Sequence, residues 1–272
     1  STPCANKENM QYGGNTSCLQ IHLPNNTETL ILDSGTGIRN LGNKLMDEQA
    51  DIDGHIFITH PHWDHIQGFP FFKPIYESEN HFVIHMPEQV NGQSCRDILS
   101  GHLTKTFFPV TLDMIDANLE YATETGKRTS YDSYEIEFIN ANHTINTAIY
   151  KVHIGGREIV YCPDNELNIS EEPPRPGFYG ELKAFFQDVD LLIHDGQYNR
   201  QTYEGKVGWG HSAWEQVVDF ARDCNVERLF ITHHDPDSDD EYLTELDKQI
   251  HREFAEDFAK VQLAREGETI SI

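Results

Sequence analysis

An α/β fold in a single domain over residues 1–272 is what this sequence predicts, and three observations lead there. Seven short apolar runs read as buried strands. Amphipathic stretches of helical period follow the later runs, and no Pro/Gly/Ser linker or internal repeat divides the chain.

The strand runs are 30–32, 55–58, 82–85, 136–139, 159–161, 191–193 and 229–231, each rich in Ile, Leu, Val or Phe and too short for a helix. "TAIYKVHIGGREIVYC" reads as a hairpin, because Gly155 and Gly156 supply the positive φ that a tight turn needs between two alternating runs. A helix is expected from Ser212, with Ser212 as its cap and Trp214, Val217, Val218 and Ala221 on one face. A second helix carries the stripe Leu243, Leu246, Ile250, Phe254 and Phe258, after which "KVQLAREGETISI" is expected to close the chain as a strand pair. The long loop "ELNISEEPPRPG", 166–177, reads as surface.

Composition narrows the class. With 38% apolar and 11% aromatic residues the chain can bury a sizeable core. No run approaches the roughly 20 apolar residues of a membrane span, and "STPCANKENMQYGGN" lacks the apolar stretch of a secretory signal. The five cysteines, Cys4, Cys18, Cys95, Cys162 and Cys224, are scattered and never closely paired, which argues for reduced thiols in a cytoplasm. A formal charge of −25 repels long polyanions, so extended nucleic acid is disfavoured as a partner. Solubility, or life in salt, accounts for that charge without any acidic binding surface.

The chemistry concentrates in "THPHWDH", where the predicted strand "HIFIT" stops. His60 and His62 alternate along extended chain around Pro61 and can face one point, while Asp64 and His65 turn toward a second. Two metal ions could share that loop. Other apolar runs deliver further ligands to their C-terminal ends, where α/β sheets present active sites: His143, Asp164, His194 with Asp195, and His233, His234 and Asp235. Imidazole with carboxylate and no paired thiolate suits two divalent ions, zinc first, with manganese or iron as alternatives. His22, His55, His81, His85, His102, His153 and His251 stand alone and read as hydrogen-bonded core or surface residues.

This pattern resembles the metallo-β-lactamase superfamily over nearly the whole chain, "THPHWDH" matching its H-x-H-x-D-H signature. The resemblance implies an α/β four-layer αββα sandwich, the metallo-β-lactamase fold. It implies that His60, His62 and His143 hold one ion, that Asp64, His65 and His233 hold the other, and that Asp164 bridges them. Asp33 in "LILDSGTG" matches a turn that supports the metal loop without being a ligand. Cys162 is the alternative to Asp164, since some lactamases bind their second ion through a cysteine; a small buried hydrophobe is the role expected for it.

"GWGHSAWEQVVDFA", with the later "THHD", is similar to the ribonuclease Z-like and cyclic-nucleotide phosphodiesterase branch. There the histidine matched by His211 acts with the carboxylate matched by Asp195, and an imidazolium so held can protonate a leaving alkoxide. The catalytic residues implied are Asp64, His211 and Asp195. The chain lacks the Gly/Pro-rich arm with which ribonuclease Z grips transfer RNA, and it begins at Ser1-Thr2-Pro3, inside a pattern that in this family follows a strand. With the charge, this makes a small phosphodiester such as a 3′,5′-cyclic nucleotide the expected substrate. Trp63, Trp209, Tyr150 and Phe71 are available to stack a base, and Lys206, Arg39 and Arg200 to meet a phosphate. Rival expectations are a sister hydrolase of lactones, thioesters or β-lactams, a ribonuclease Z-like RNA-processing enzyme, and a non-catalytic metal-binding scaffold. A flavodiiron-type carrier would replace the ligand at His62 with glutamate, which this chain does not do. Dimers are frequent in this superfamily, so a homodimer is allowed, though no patch in the sequence demands one.

Overall fold

The computed structural model describes residues 2–24, 28–48, 51–89, 92–167 and 175–272. Its contacts gather into two units, one built chiefly from Asn15–Lys127 and the other from Cys4–Gly14 with Arg128–Ile272.

In the first unit, β1 (Leu19–Ile21) pairs antiparallel with β2 (Thr29–Leu32), and α1 (Ile38–Glu48) follows. β3 (Asp53–Phe57), the short α2 (Trp63–Ile66), β4 (His81–Pro87), α3 (Cys95–His102) and β5 (Asn118–Glu124) complete it. The sheet order is β1-β2-β3-β4-β5, parallel from β2 onward. One face of β2, β3 and β4 carries Ile31, Ile56, Phe82 and Ile84, which pack with Ile38 and Leu45 of α1 and Leu99 of α3 into one apolar core. Ser94 and Asp97 cap α3 reciprocally, satisfying two of its free N–H groups.

The opposite face carries histidines. His55 Nδ1 lies 2.8 Å from His85 Nε2, and His85 Nδ1 donates to Glu124 at 2.6 Å. Burial, then the neighbouring His85 and His81, push the His55 imidazole down to about 4 from its ordinary 6.5. A histidine depressed in the folded state stabilises fully above pH 6.5, and its contribution is lost as pH falls from there toward 4. Up to about 3 kcal/mol of stability should disappear across that window. Denaturant midpoints from pH 7 to 4 would show the decline, and His55→Gln should make it shallower; an equally steep decline in the variant would assign the acid sensitivity elsewhere.

The second unit contains β6 (Thr129–Ser130), β7 (Tyr134–Asn140), β8 (Ala148–Ile154) and β9 (Arg157–Cys162), then α4 (Phe178–Phe186) and β10 (Leu191–Asp195). α5 (Arg200–Tyr203), α6 (Trp214–Asp223), β11 (Arg228–Thr232), α7 (Asp240–Phe254) and β12 (Lys260–Leu263) finish the chain. The order is β12-β11-β10-β9-β8-β7-β6. β8 and β9 form the expected hairpin, with Gly155 and Gly156 at φ 58° and 78° in its turn. β7 and β9 both run antiparallel to β8, and β10 and β11 are parallel to β9, so β7, β9, β10 and β11 end at the same edge of the sheet. Val160, Leu192 and Leu229 meet Val217 and Val218 of α6 and Ile250 of α7 in this unit's core.

Four expectations change. Ser212 does not cap α6; the cap position is Ala213, whose N–H donates to Gln216 Oε1 at 3.0 Å, while Ser212 is occupied elsewhere in the fold. Phe258 lies beyond the end of α7 and reaches the same core from the turn that follows. The closing strand pair is one strand, β12, parallel to β11, because the polar segment after Ala264 has no partner strand among the described residues. Of the supposed surface loop, Glu166 and Leu167 are buried, whereas 168–174 lie outside the described residues. Among the described residues no helix is long and apolar enough to cross a membrane.

Candidate metal centre

In the first unit the cluster follows β3. Asp33, fully buried at the end of β2 and left-handed at φ 64°, accepts the Thr59 N–H at 2.7 Å and the Thr59 hydroxyl at 3.0 Å. Its other oxygen accepts from His65 Nδ1 at 2.7 Å. A carboxylate only accepts, so the proton is on Nδ1 and the Nε2 lone pair of His65 is left to face a cation. Thr59, which donates its own proton to Asp33, accepts from His60 Nδ1 at 3.0 Å, so that Nε2 is the unprotonated nitrogen of His60. His60 Nε2 lies 2.9 Å from His62 Nδ1, and His65 Nε2 lies 3.6 Å from Asp64 Oδ2. Asp33 thus ties Thr59 and His65 together by hydrogen bonds.

In the second unit, residues just past β7, β9, β10 and β11 meet. Asp164 turns Oδ2 toward His143 Nε2 and Oδ1 toward His233 Nε2, both at 3.5 Å. Ligands about 2.0–2.2 Å from one tetrahedral ion sit roughly 3.3–3.5 Å apart. The donor set therefore fits divalent cations, with Asp164 offering one oxygen to each side. Ligand atoms of Asp164, His211 and His233 all lie within 4.8 Å of one another. His143 donates Nδ1–H to the Gly210 carbonyl at 2.9 Å, which fixes its tautomer. Gly210 must be glycine, since its φ is 83° and a Cβ there would lie 2.2 Å from His143 Nδ1.

His211 follows that glycine. Its Nδ1 donates to Asp195 Oδ2 at 3.0 Å and its Nε2 lies 3.9 Å from Asp164 Oδ2. Asp195 is fully buried and also accepts the N–H groups of Asn165, Gln197 and Ser212. Burial, the largest single influence, lowers the His211 pKa, but the charge and hydrogen bond of Asp195, with Asp164 behind them, outweigh it and raise the group to about 9. The Asp195 carboxylate thus favours the protonated form of His211.

Not every strand-end group joins the cluster. His194 Nδ1 donates to the Asp195 backbone carbonyl at 2.6 Å, and burial pushes the ring's pKa down. His234 donates to the Ala264 carbonyl at 3.0 Å, and Asp235 accepts the Asp237 N–H. Cys162 is fully buried in the core, its thiol pushed well up by burial, as expected of a small hydrophobe. Tyr150 is core, so it offers no face for stacking, while Trp63 and Trp209 are 76% and 56% exposed and Phe71 is half-exposed. Arg200 pairs with Asp219, and Lys206 sits 3.9 Å over the Trp209 ring. The roles that Thr59, Asn165, Ser212 and Glu166 take in the fold escaped sequence reading. They act through hydrogen bonds across the fold, such as Ser212 Oγ to the Asn165 carbonyl at 2.6 Å, and such partnerships leave no spacing signal.

A family model described as a beta-lactamase superfamily domain matches residues 29–234 of the 272. The chain belongs to this superfamily. Ribonuclease Z of Haloferax volcanii is 24% identical over 251 residues, covering 76% of this chain and 75% of that protein. Ribonuclease Z of Bacillus subtilis is 21% identical over 259 residues, covering 77% and 81%. Among solved structures, the metallo-beta-lactamase fold protein YhfI from Bacillus subtilis has a TM-score of 0.68 at 16% identity, covering 98% of this chain and 93% of that one. The short form of human tRNase Z has 0.64 at 19%, covering 100% and 97%, and a diphosphatase from the PhnP family has 0.65 at 18%, covering 94% and 84%. These likenesses show the metallo-β-lactamase fold, the αββα class expected from the sequence. The superfamily member described here is a metal-dependent hydrolase.

Proposed function

We propose that the two units act as one hydrolase domain that cleaves phosphodiesters at a two-ion centre. His60, His62 and His143 would hold one divalent ion and Asp64, His65 and His233 the other, with Asp164 shared. The ions would be zinc first, with manganese or iron as alternatives. Such ions supply Lewis acidity at the phosphoryl oxygens and lower the pKa of water. The observation that carries the phosphodiester reading is the His211–Asp195 pair. Asp195 holds the imidazole by Nδ1, leaving Nε2–H to protonate the departing oxygen, so an alcohol leaves in place of an alkoxide. The neutral imidazole then regains a proton from solvent. A thioester's thiolate departs without such an acid, and a metal-binding scaffold needs none either.

The relatives named ribonuclease Z favour RNA as the substrate class over the 3′,5′-cyclic nucleotides expected from charge and from the missing arm. Charge repulsion weakens in salt, because the screening length falls to about 3 Å near 1 M. Cytoplasmic placement and a homodimer remain part of the proposal. The test compares transfer RNA precursors, a cyclic nucleotide, a p-nitrophenyl phosphodiester and a p-nitrophenyl ester, with metal-loaded and chelated protein. Turnover of diesters that chelation abolishes is expected, with cleavage of RNA rising as salt is added to a dilute buffer while cyclic-nucleotide turnover stays nearly flat. Hydrolysis confined to the carboxylic ester would sink the reading.

A further inference from the structure

We infer that Glu166 is a positioning residue for the metal ligand His143, acting through the glycine loop that precedes His211. The inference rests on reading His143 as a ligand, and its geometry lies wholly within the second unit.

Glu166 stands two residues after Asp164, yet its side chain is only 3% exposed. A buried carboxylate is costly unless well bonded. Among the described residues no Lys or Arg is bonded to it; its partners are all neutral donors. One oxygen accepts the Tyr203 hydroxyl at 2.7 Å and the Gly208 N–H at 2.8 Å, and the other accepts the Gly210 N–H at 2.9 Å. Burial and the adjacent carboxylate push the Tyr203 hydroxyl's pKa up, so it stays protonated and donates. The backbone of Glu166 is fixed as well, its N–H on the Asn142 carbonyl and its carbonyl on Asn142 Nδ2, both at 2.9 Å.

Gly208 and Gly210 both have φ 83°, which aims alternate N–H groups inward as an anion-binding concavity. Here the anion is the protein's own carboxylate. The loop's outer side presents Val207 and Trp209 to solvent, so apolar packing does little to hold it down. Glu166 does. The next polar atom along the loop is the Gly210 carbonyl, the acceptor of His143 Nδ1–H, and through it the carboxylate keeps His143 Nε2 turned toward Asp164. Glutamine at 166 would turn its amide N–H₂ against the backbone N–H of Gly208 or of Gly210 and loosen this link.

The tautomer is read on zinc-free protein labelled with ¹⁵N-histidine, and metal affinity by competition with a chelator. Wild type should show His143 in the Nδ1–H form; Glu166→Gln should show a mixture of tautomers and a roughly 10- to 100-fold loss of zinc affinity. A role in folding alone would lower thermal stability and leave the tautomer unchanged. Tyr203→Phe, which keeps the ring's packing, should show the same signature in smaller measure, and it decides the matter if Glu166→Gln does not fold. An unchanged His143 signal with unchanged zinc affinity in every folded variant overturns the inference. If wild type binds no zinc at all, the two-ion reading fails separately, while the tautomer still reports on Glu166.

Discussion

Replacing His211 with alanine is expected to lower kcat on a phosphodiester with an alkoxide leaving group by about 10²- to 10⁴-fold, with wild-type metal content retained. A loss of that size is what a general acid contributes, and in the proposed role His211 carries the proton that the departing oxygen needs while Asp195 favours its protonated form. The leaving group provides an internal control. A p-nitrophenolate departs without a proton, so the variant should lose far less on a p-nitrophenyl diester than on RNA. Equal losses on both would remove the acid role. Loss of metal together with activity would instead make His211 a ligand, which its distance of 3.9 Å from Asp164 and its place beside His233 leave geometrically open. Elemental analysis of the variant separates the two.

Asp33→Ala is expected to be the most damaging change in the first unit. It strips acceptors from the Thr59 N–H, the Thr59 hydroxyl and His65 Nδ1 in a site with no solvent access. Buried donors left without acceptors cost about 1–3 kcal/mol each, so a loss on the order of 3–5 kcal/mol is expected in denaturant unfolding. Asp33→Asn discriminates function from folding. Asparagine tolerates the left-handed backbone at φ 64° and still accepts from Thr59, but its amide opposes His65 Nδ1–H. That variant should remain near wild type in stability yet bind metal roughly 10- to 100-fold more weakly. Full metal affinity in Asp33→Asn would show that His65 does not need this support.

Sequence was enough to reach the quartet, because His60, His62, Asp64 and His65 crowd into six residues and no packed core needs that many imidazoles. It also reached the strand-end residues, since β3, β7, β9, β10 and β11 are apolar runs that stop where the candidate His and Asp residues stand. What stayed hidden has physical causes. β5, Asn118–Glu124, is an edge strand whose alternation is too polar to read as buried, and β1 is only three residues long. Ser212 looked like a cap because caps are usually serine, whereas the fold spends its hydroxyl on the Asn165 carbonyl and the Leu167 N–H. Glu166 looked like solvent-facing loop because a carboxylate beside prolines and further acids usually is. The Tyr203 hydroxyl and the distant glycines at 208 and 210, brought to it by the chain's path, make burial tolerable.

The tight turn at Gly155 and Gly156 sits at the far end of the second sheet from His143 and Asp164, and nothing lies within 4 Å of where side chains would project from either glycine. Exposed tips of this kind tolerate inserted residues far better than the elements they join. A fluorophore-bearing tag or a surface-immobilisation handle spliced there would leave the ligand-bearing edge untouched, giving a practical route to single-molecule or sensor formats for this hydrolase.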